Sequence, residues 1–352
     1  MKRKYVLPLL LPVQIVVLKL LALFPEFVER FYSNGFYLAL SRFERLLFGW
    51  IPVSVGDVLY FVVIFFGIRW FWRRRKTFRA QWKDNVLAII GWVSVIFFLF
   101  NFFWGINYHR EKLHDKLAIG KDYTDAELLA FTKRLISKTN EIHLGIAKND
   151  TVKIVFPYSQ QEVFEKNQIG YAQLSGSHPD FRYRTPSVKI SLISLPLTYM
   201  GFAGYLNPFT NEAQVNDKLP MYSFPMTTAH EMAHQLGYAS ESEANFIGYL
   251  ASVKNPDLYF QYSGYATALK YCLGNWEVRN EKVLHDLLKT VNPGILKNYR
   301  DSRDFWESYE SFIETGFKIF YDHFLKLNQQ EGLESYNRFV DLLVNYYKFE
   351  KI

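Results

Sequence analysis

Hydrophobic patterning divides the chain in two. In the first third the apolar positions run continuously: YVLPLLLPVQIVVLKLLALF at 5–24, IPVSVGDVLYFVVIFFGIRWFW at 51–72 and NVLAIIGWVSVIFFLFNFFWGI at 85–106. Each has roughly the 20 residues needed to cross a hydrocarbon core. The second and third carry Trp and Tyr near their ends, as interfacial anchors do. No small-x-small cleavage site follows the first run, so it reads as an uncleaved span and not as a signal peptide. Between the first two runs, FYLALSRFERLLF predicts a helix lying along the membrane interface.

From 107 onward the apolar runs shorten and charges mix in. Thr124 and Glu127 form a capping-box pattern that opens a helix to about 146. VKIVF (152–156) and SVKISLIS (187–194) predict strands. The Pro- and Gly-rich stretch 195–224 predicts loops with one short strand, EAQVN (212–216). Pro225 stands where a helix can begin. Beyond 255 the period is helical: EKVLHDLLKTV (281–291) puts Val283, Leu284, Leu287, Leu288 and Val291 on one face, and 302–328 and 334–347 behave alike. The fold class this predicts is α+β, with a membrane anchor at 1–106 and a second domain at 107–352.

Charge sharpens the division. Residues 1–106 hold 14 Lys/Arg against 5 Asp/Glu, a net of +9, and the remainder is net −2. Lys2, Arg3 and Lys4 lie before the first span, and Arg73, Arg74, Arg75, Lys76, Arg79 and Lys83 lie between the second and third. Basic loops stay cytoplasmic. Three spans that start inside then leave 107–352 outside the cytoplasmic (inner) membrane. The high isoelectric point thus belongs to the anchor, and no basic stripe on the second domain suggests nucleic-acid binding. Lys19, Asp57 and Arg69 are the internal charges of the spans, too few for a transport pathway. The single cysteine, Cys272, excludes an internal disulfide and has no CxxC partner.

The second domain carries HEMAH at 230–234. On a helix, His230 and His234 lie one turn apart on one face and can share a metal, with Glu231 placed as a general base. A catalytic zinc takes three protein ligands and keeps one open position. Gly237 can end the motif helix, and Ser240 with Glu243 fits a second capping box that restarts a helix at Glu241. Two glutamates compete as third ligand. Glu241 has Asn245 four positions on, able to orient a ligand histidine; Glu243 is the alternative, with its capping role as a sufficient explanation. A metzincin site would need a third histidine where Ser240 stands and a later methionine turn, and no methionine follows Met232.

HExxH followed by Glu-x-x-x-Asn resembles the gluzincin class of zinc peptidases. The resemblance implies a zincin-like domain with Zn2+ held by His230, His234 and Glu241. It implies Glu231 as catalytic base and Asn245, where Asp is commoner, as the helper behind the ligands. It also implies that EAQVN is an edge strand to which an extended peptide adds. The chain departs from well-studied gluzincins in spacing, with only seven positions from His234 to Glu241. The longer string GYLNPFTNEAQVN…PMTTAHEMAHQLGYASESEANFIGYLA resembles a bacterial membrane-protein family of unknown function with three N-terminal spans and an HExxH domain. The expected function is a membrane-anchored zinc peptidase acting on a peptide or protein substrate beside the lipid bilayer. The alternative is a catalytically inactive zincin-like sensor or scaffold. Retention of Glu231 favours the enzyme, because a purely structural zinc has no use for a base.

Overall fold

The computed structural model describes residues 3–328, 337–350 and 352. The first apolar run forms α1 (Val6–Leu21) and stops short of Pro25, since a residue before proline is pushed out of helical geometry. Phe24 accordingly sits at φ −127°, ψ 63°. The chain then bends by 97° into Pro25–Phe48, which comprises α2 (Pro25–Phe27), a π-helical stretch (Val28–Phe36) and α3 (Tyr37–Phe48). Next come α4 (Val55–Arg74) and α5 (Trp82–Phe103). These two are long and apolar enough to cross a membrane, and a third span exists only if α1 and the bent Pro25–Phe48 count as one. The expected span at 5–24 thus stands only as part of this bent pair. At 16 residues, α1 reaches about 24 Å, short of a ~30 Å hydrocarbon core.

α1 and α5 lie side by side and parallel. Lys4 pairs with Asp84 at 2.7 Å, and Gln14 Nε2 donates to Ser94 Oγ at 3.1 Å. The N-terminus and the basic turn between α4 and α5 therefore share one end of the bundle. At the other end the chain enters the second domain.

That domain opens with α6 (Leu113–Lys116) and α7 (Asp125–Ala147), the latter held by the expected Thr124–Glu127 capping box. The expected strand at 152–156 pairs with no other strand. Its backbone is satisfied by a side-chain amide instead: Asn298 Oδ1 accepts from Ile154 N, and Asn298 Nδ2 donates to Ile154 O. α8 (Gln160–Ser177) follows a second capping box, Ser159–Glu162. The small sheet comprises β1 (Val188–Ile190), β2 (Gly204–Leu206), which follows α9 (Ser194–Tyr199), and β3 (Ala213–Val215), in the order β1-β3-β2. β3 pairs parallel to β1 and antiparallel to β2. The expectation that EAQVN forms an edge strand is thus corrected: both backbone sides of β3 are taken, and β1 and β2 are the outer strands.

The helical half contains α10 (Phe224–Gln235), α11 (Glu241–Lys254), α12 (Leu258–Arg279), α13 (Glu281–Leu288), α14 (Pro293–Glu307), α15 (Phe312–Leu327) and α16 (Asn337–Tyr346). The continuous helix expected over 302–328 is two helices. The polar residues Ser308, Glu310 and Ser311 fall at the break, where such side chains favour caps over helix interiors. Of the helix expected over 334–347, residues 334–336 lie outside the described residues. α10, α11 and α12 form the centre of the core with α7, α8 and α16 around them, burying Phe131, Met232, Phe246, Leu269, Cys272 and Phe339. α10 and α11 cross at Gly248, where an added Cβ would lie 2.8 Å from the backbone nitrogen of His230.

Candidate metal centre

Pro225 lies in the first turn of α10 and Gly237, at φ +86°, ends its last, as its lack of a Cβ allows. Between them His230 and His234 stand one turn apart, with ring centroids 4.6 Å apart. α11 returns across α10 and brings its first residue, Glu241, to both histidines. Glu241 Oε2 is 3.2 Å from His230 Nε2, and Oε1 is 3.8 Å from His234 Nε2.

The other predicted site residues divide. Asn245 lies one turn along α11, beside His230 and Tyr271. Glu243 points elsewhere: its carboxylate accepts from Leu113 N at 2.7 Å, at the start of α6. The Ser240–Glu243 capping box does not form. Ser240 is the cap residue of α11, but its hydroxyl is bonded to Ser242 Oγ at 3.0 Å. Glu243 serves a different helix, which is why it is absent from this one.

Ligand atoms of His230, Glu231 and His234 all lie within 4.8 Å of one another, and no other such His/Cys/Asp/Glu group exists among the described residues. Glu231 and Glu241 both approach the histidines, but their positions differ. Glu241 faces both Nε2 atoms. Glu231 lies against β2, where a Cβ on Gly204 would meet its Oε1 at 2.6 Å. Of the two carboxylates, Glu241 thus faces both imidazole nitrogens, and Glu231 stands beside them against β2.

The donor set fits a zinc-type cation. Tyr238 O can only accept, so His234 Nδ1, 2.7 Å away, must be the protonated nitrogen. The lone pair is then on Nε2, facing Glu241, the tautomer a metal needs. Burial, reinforced by the neighbouring His230, holds the His234 pKa down to about 4, so it stays neutral. Burial also opposes ionisation of Glu241, but the hydrogen bond from His230 and the electrostatic attraction of the two imidazoles outweigh it and bring its pKa to about 2. Burial pushes Glu231 up to about 8, against the pull of the His230 ring. His230 Nδ1 and Glu231 Oε2 are buried with no hydrogen-bond partner, an expensive state that groups serving a ligand or reaction tolerate.

The site opens into a cavity of about 500 Å³. One wall is β2; the opposite wall includes Tyr271 of α12 and Tyr321 of α15, whose hydroxyl donates to Glu241 Oε1 at 2.5 Å. A third wall comes from the apolar bundle: Tyr60 of α4 and Phe100 and Trp104 at the end of α5. Trp104 packs edge-on against the His234 ring with centroids 5.9 Å apart. Sequence reasoning missed Tyr321, the Tyr238 carbonyl and this aromatic wall. Tyr249, Tyr262 and Tyr265, further along the chain, belong to the core.

The segment before α4 supports the centre from beneath. The last carbonyls of a helix lack partners within it. At the end of α10 the Tyr37 hydroxyl faces the carbonyls of His234 and Gln235 (3.4 Å to each), and Arg45 Nη1 donates to Gln235 O at 3.2 Å. Arg110 forms a bidentate pair with Glu29 (2.7 Å for each bond) and lies over the ring of Tyr238, 4.0 Å from its centroid. The first turn of α4 docks on the sheet. Glu212 accepts from Val55 N and Gly56 N and pairs with Lys189. Asp57 accepts from Tyr205, Ser191 and Leu192 N. Asp57, read as a charge inside a span, is a docking residue.

No curated protein and no solved structure matches this chain. A family profile described as "Protein of unknown function (DUF3810)" matches residues 32–344, from the π-helical stretch through α16. That match takes in α4, α5 and the histidine–glutamate centre, and the chain belongs to the DUF3810 family.

Proposed function

We propose that this protein is a zinc-dependent peptidase held at the cytoplasmic membrane with its catalytic domain outside. The observation that carries the reading is the buried convergence of His230 Nε2, His234 Nε2 and the Glu241 carboxylate beside the unpartnered carboxylate oxygen of Glu231. The resemblance of HEMAH and Glu241-x-x-x-Asn245 to the gluzincins points the same way. His230, His234 and Glu241 would hold the zinc. Bound there, zinc supplies a Lewis acid that lowers the pKa of a water to about 7.

The chain's own residues account for the rest. Glu231 accepts a proton from the attacking water as its oxygen bonds to the scissile carbonyl carbon. Glu231 then returns that proton to the amide nitrogen as the C–N bond breaks, so one water is consumed and an acid and an amine are released. The outer strand β2 offers its free edge to an extended peptide, and Gly204 leaves that edge room beside Glu231. The basic end of the bundle, with Lys4 beside Asp84, lies away from the domain, and basic ends stay cytoplasmic. This supports an extracytoplasmic domain.

Metal analysis of the full-length protein in detergent tests the reading. The wild type should carry about one zinc per chain. Glu231→Gln should keep the zinc and lose hydrolysis of a mixed-sequence peptide library, and His234→Ala should lose the zinc. Wild type that binds no zinc at neutral pH overturns the proposal. Zinc binding with equal cleavage by wild type and Glu231→Gln would favour the scaffold reading.

A further inference from the structure

We infer that the substrate is a polypeptide anchored in the same bilayer, taken at its membrane-proximal segment; this rests on the peptidase reading. The metal centre is one aromatic ring away from the apolar bundle: Trp104, the residue capping α5, touches the His234 ring. Phe100 and Tyr60 line the same cavity, and each lies within about two turns of its helix's domain-side end. If α4 and α5 cross the membrane, those turns lie at the lipid–water boundary, and so does the cavity they wall.

The strand that would carry substrate is tied to the same place. Tyr205 of β2 hydrogen-bonds to Asp57 of α4 and stacks on Tyr60, with ring centroids 6.3 Å apart. β2 therefore cannot be displaced from α4 without breaking a partly buried bond. The cavity is flanked by exposed apolar side chains. Leu192, whose backbone N bonds to Asp57 of α4 at 2.7 Å, and Leu195 are exposed beside the lining residues Ile193 and Leu197 in the chain. Ile319 and Phe320 stand on α15, next to Tyr321. Exposed apolar groups around a site commonly mark contact with lipid or an apolar partner. A freely soluble peptide needs neither this rim nor a cavity wall supplied by membrane helices. A chain emerging from the bilayer beside α4 and α5 meets β2 within its first few residues.

Two measurements on full-length protein in phosphatidylethanolamine/phosphatidylglycerol proteoliposomes test this. The first compares one mixed-sequence peptide library in three forms: free, tethered to a palmitoyl anchor directly, and tethered through about 20 Gly/Ser residues, a reach of about 25 Å. The directly tethered form should be cut at least as fast as the long-tethered one, and about ten-fold or more faster than the free form, in a Glu231-dependent manner. Cleavage of the free form at an equal rate, or of the long-tethered form alone, overturns the inference. The second measurement needs no activity. Single cysteines replacing Leu195 or Phe320, labelled with bimane, should be quenched by headgroup-region nitroxide lipids, and one replacing Val278 on α12 should not; Cys272 is buried and gives little background labelling. Unquenched labels at Leu195 and Phe320 overturn the membrane placement even if peptides are cut. Quenched labels with no cleavage in any form overturn the peptidase reading, and the substrate inference with it.

Discussion

At the scale of single residues, the centre is built from parts of very unequal visibility. His230, Glu231 and His234 announce themselves because all three act through side chains at fixed helical spacing. Gly204 does not: its contribution is the absence of a Cβ beside Glu231. Gly204→Ala should lower hydrolysis by about ten-fold or more by forcing apart Glu231 and the β2 edge, while zinc content measured on the purified protein stays at wild-type level. Tyr321 was equally hidden, since it reaches Glu241 from 80 positions away. Removing a hydrogen bond to a metal ligand weakens metal binding by about 10- to 100-fold. Tyr321→Phe should therefore weaken zinc binding, measured by competition with a chelator, within that range. At saturating zinc its kcat should stay near the wild-type value. The Tyr238 contact could not be read from the sequence at all, because it is made by a main-chain carbonyl that any residue carries.

At the scale of elements, the amphipathic α3 was legible as a helix but not for what each face does. Its polar residues, Ser41, Glu44 and Arg45, are buried against the second domain, and its apolar residues, Phe43, Leu46 and Leu47, are exposed. That is the arrangement of a helix presenting its apolar side to lipid. Similarly, 152–156 has strand-like residues yet pairs with an asparagine amide, because α14 and not another strand lies beside it. Local propensity names the conformation; tertiary neighbours name the partner. The Glu29–Arg110 pair belongs to this scale, since it ties the π-helical stretch to the turn holding Tyr238. Lys116 also pairs with Glu29, at 2.6 Å, so removing Arg110 leaves Glu29 partly compensated and costs less than the about 3–5 kcal/mol of a buried charge left alone. Arg110→Met should lower the apparent melting temperature in detergent, and Arg110→Met/Lys116→Met should lower it further. An unchanged melting temperature for the single variant would count against a structural role for the pair.

At the scale of the whole molecule, the two-part plan was plain from hydrophobic patterning, but the interlock between the parts was not. Tyr37, Arg45, Asp57, Glu212 and Lys189 each bond across the division, at separations above 100 positions. Hydrophobic periodicity carries no record of such pairings. The helical half has its own long-range clasp at His143. Its Nε2 bonds to Val152 O at 2.9 Å and its Nδ1 to Asn292 at 3.1 Å, so the neutral ring joins α7 to the loops before α8 and α14. Burial lowers its pKa below the ordinary 6.5, despite the Val152 contact and the nearby Asp150. A group whose folded pKa is depressed contributes stability that is complete above its unfolded value and is lost as pH falls through the folded one. The apparent melting temperature should therefore drop by a few degrees between about pH 7 and pH 5. His143→Gln should start lower and show a flatter dependence over that window. A parallel decline in both proteins would remove His143 as the cause.

The capping of α10 by Tyr37 and Arg45 also bears on the order in which the protein is made. Synthesis runs from the N-terminus, so α3 emerges and meets the membrane well before the ribosome reaches HEMAH. The groups that complete the last turn of the motif helix are then waiting when that helix arrives. A chain translocated without its first hundred residues in place would bring His234 out on a helix whose final carbonyls have no partner. The last turn of the motif helix is therefore completed only once the N-terminal segment is folded beside it.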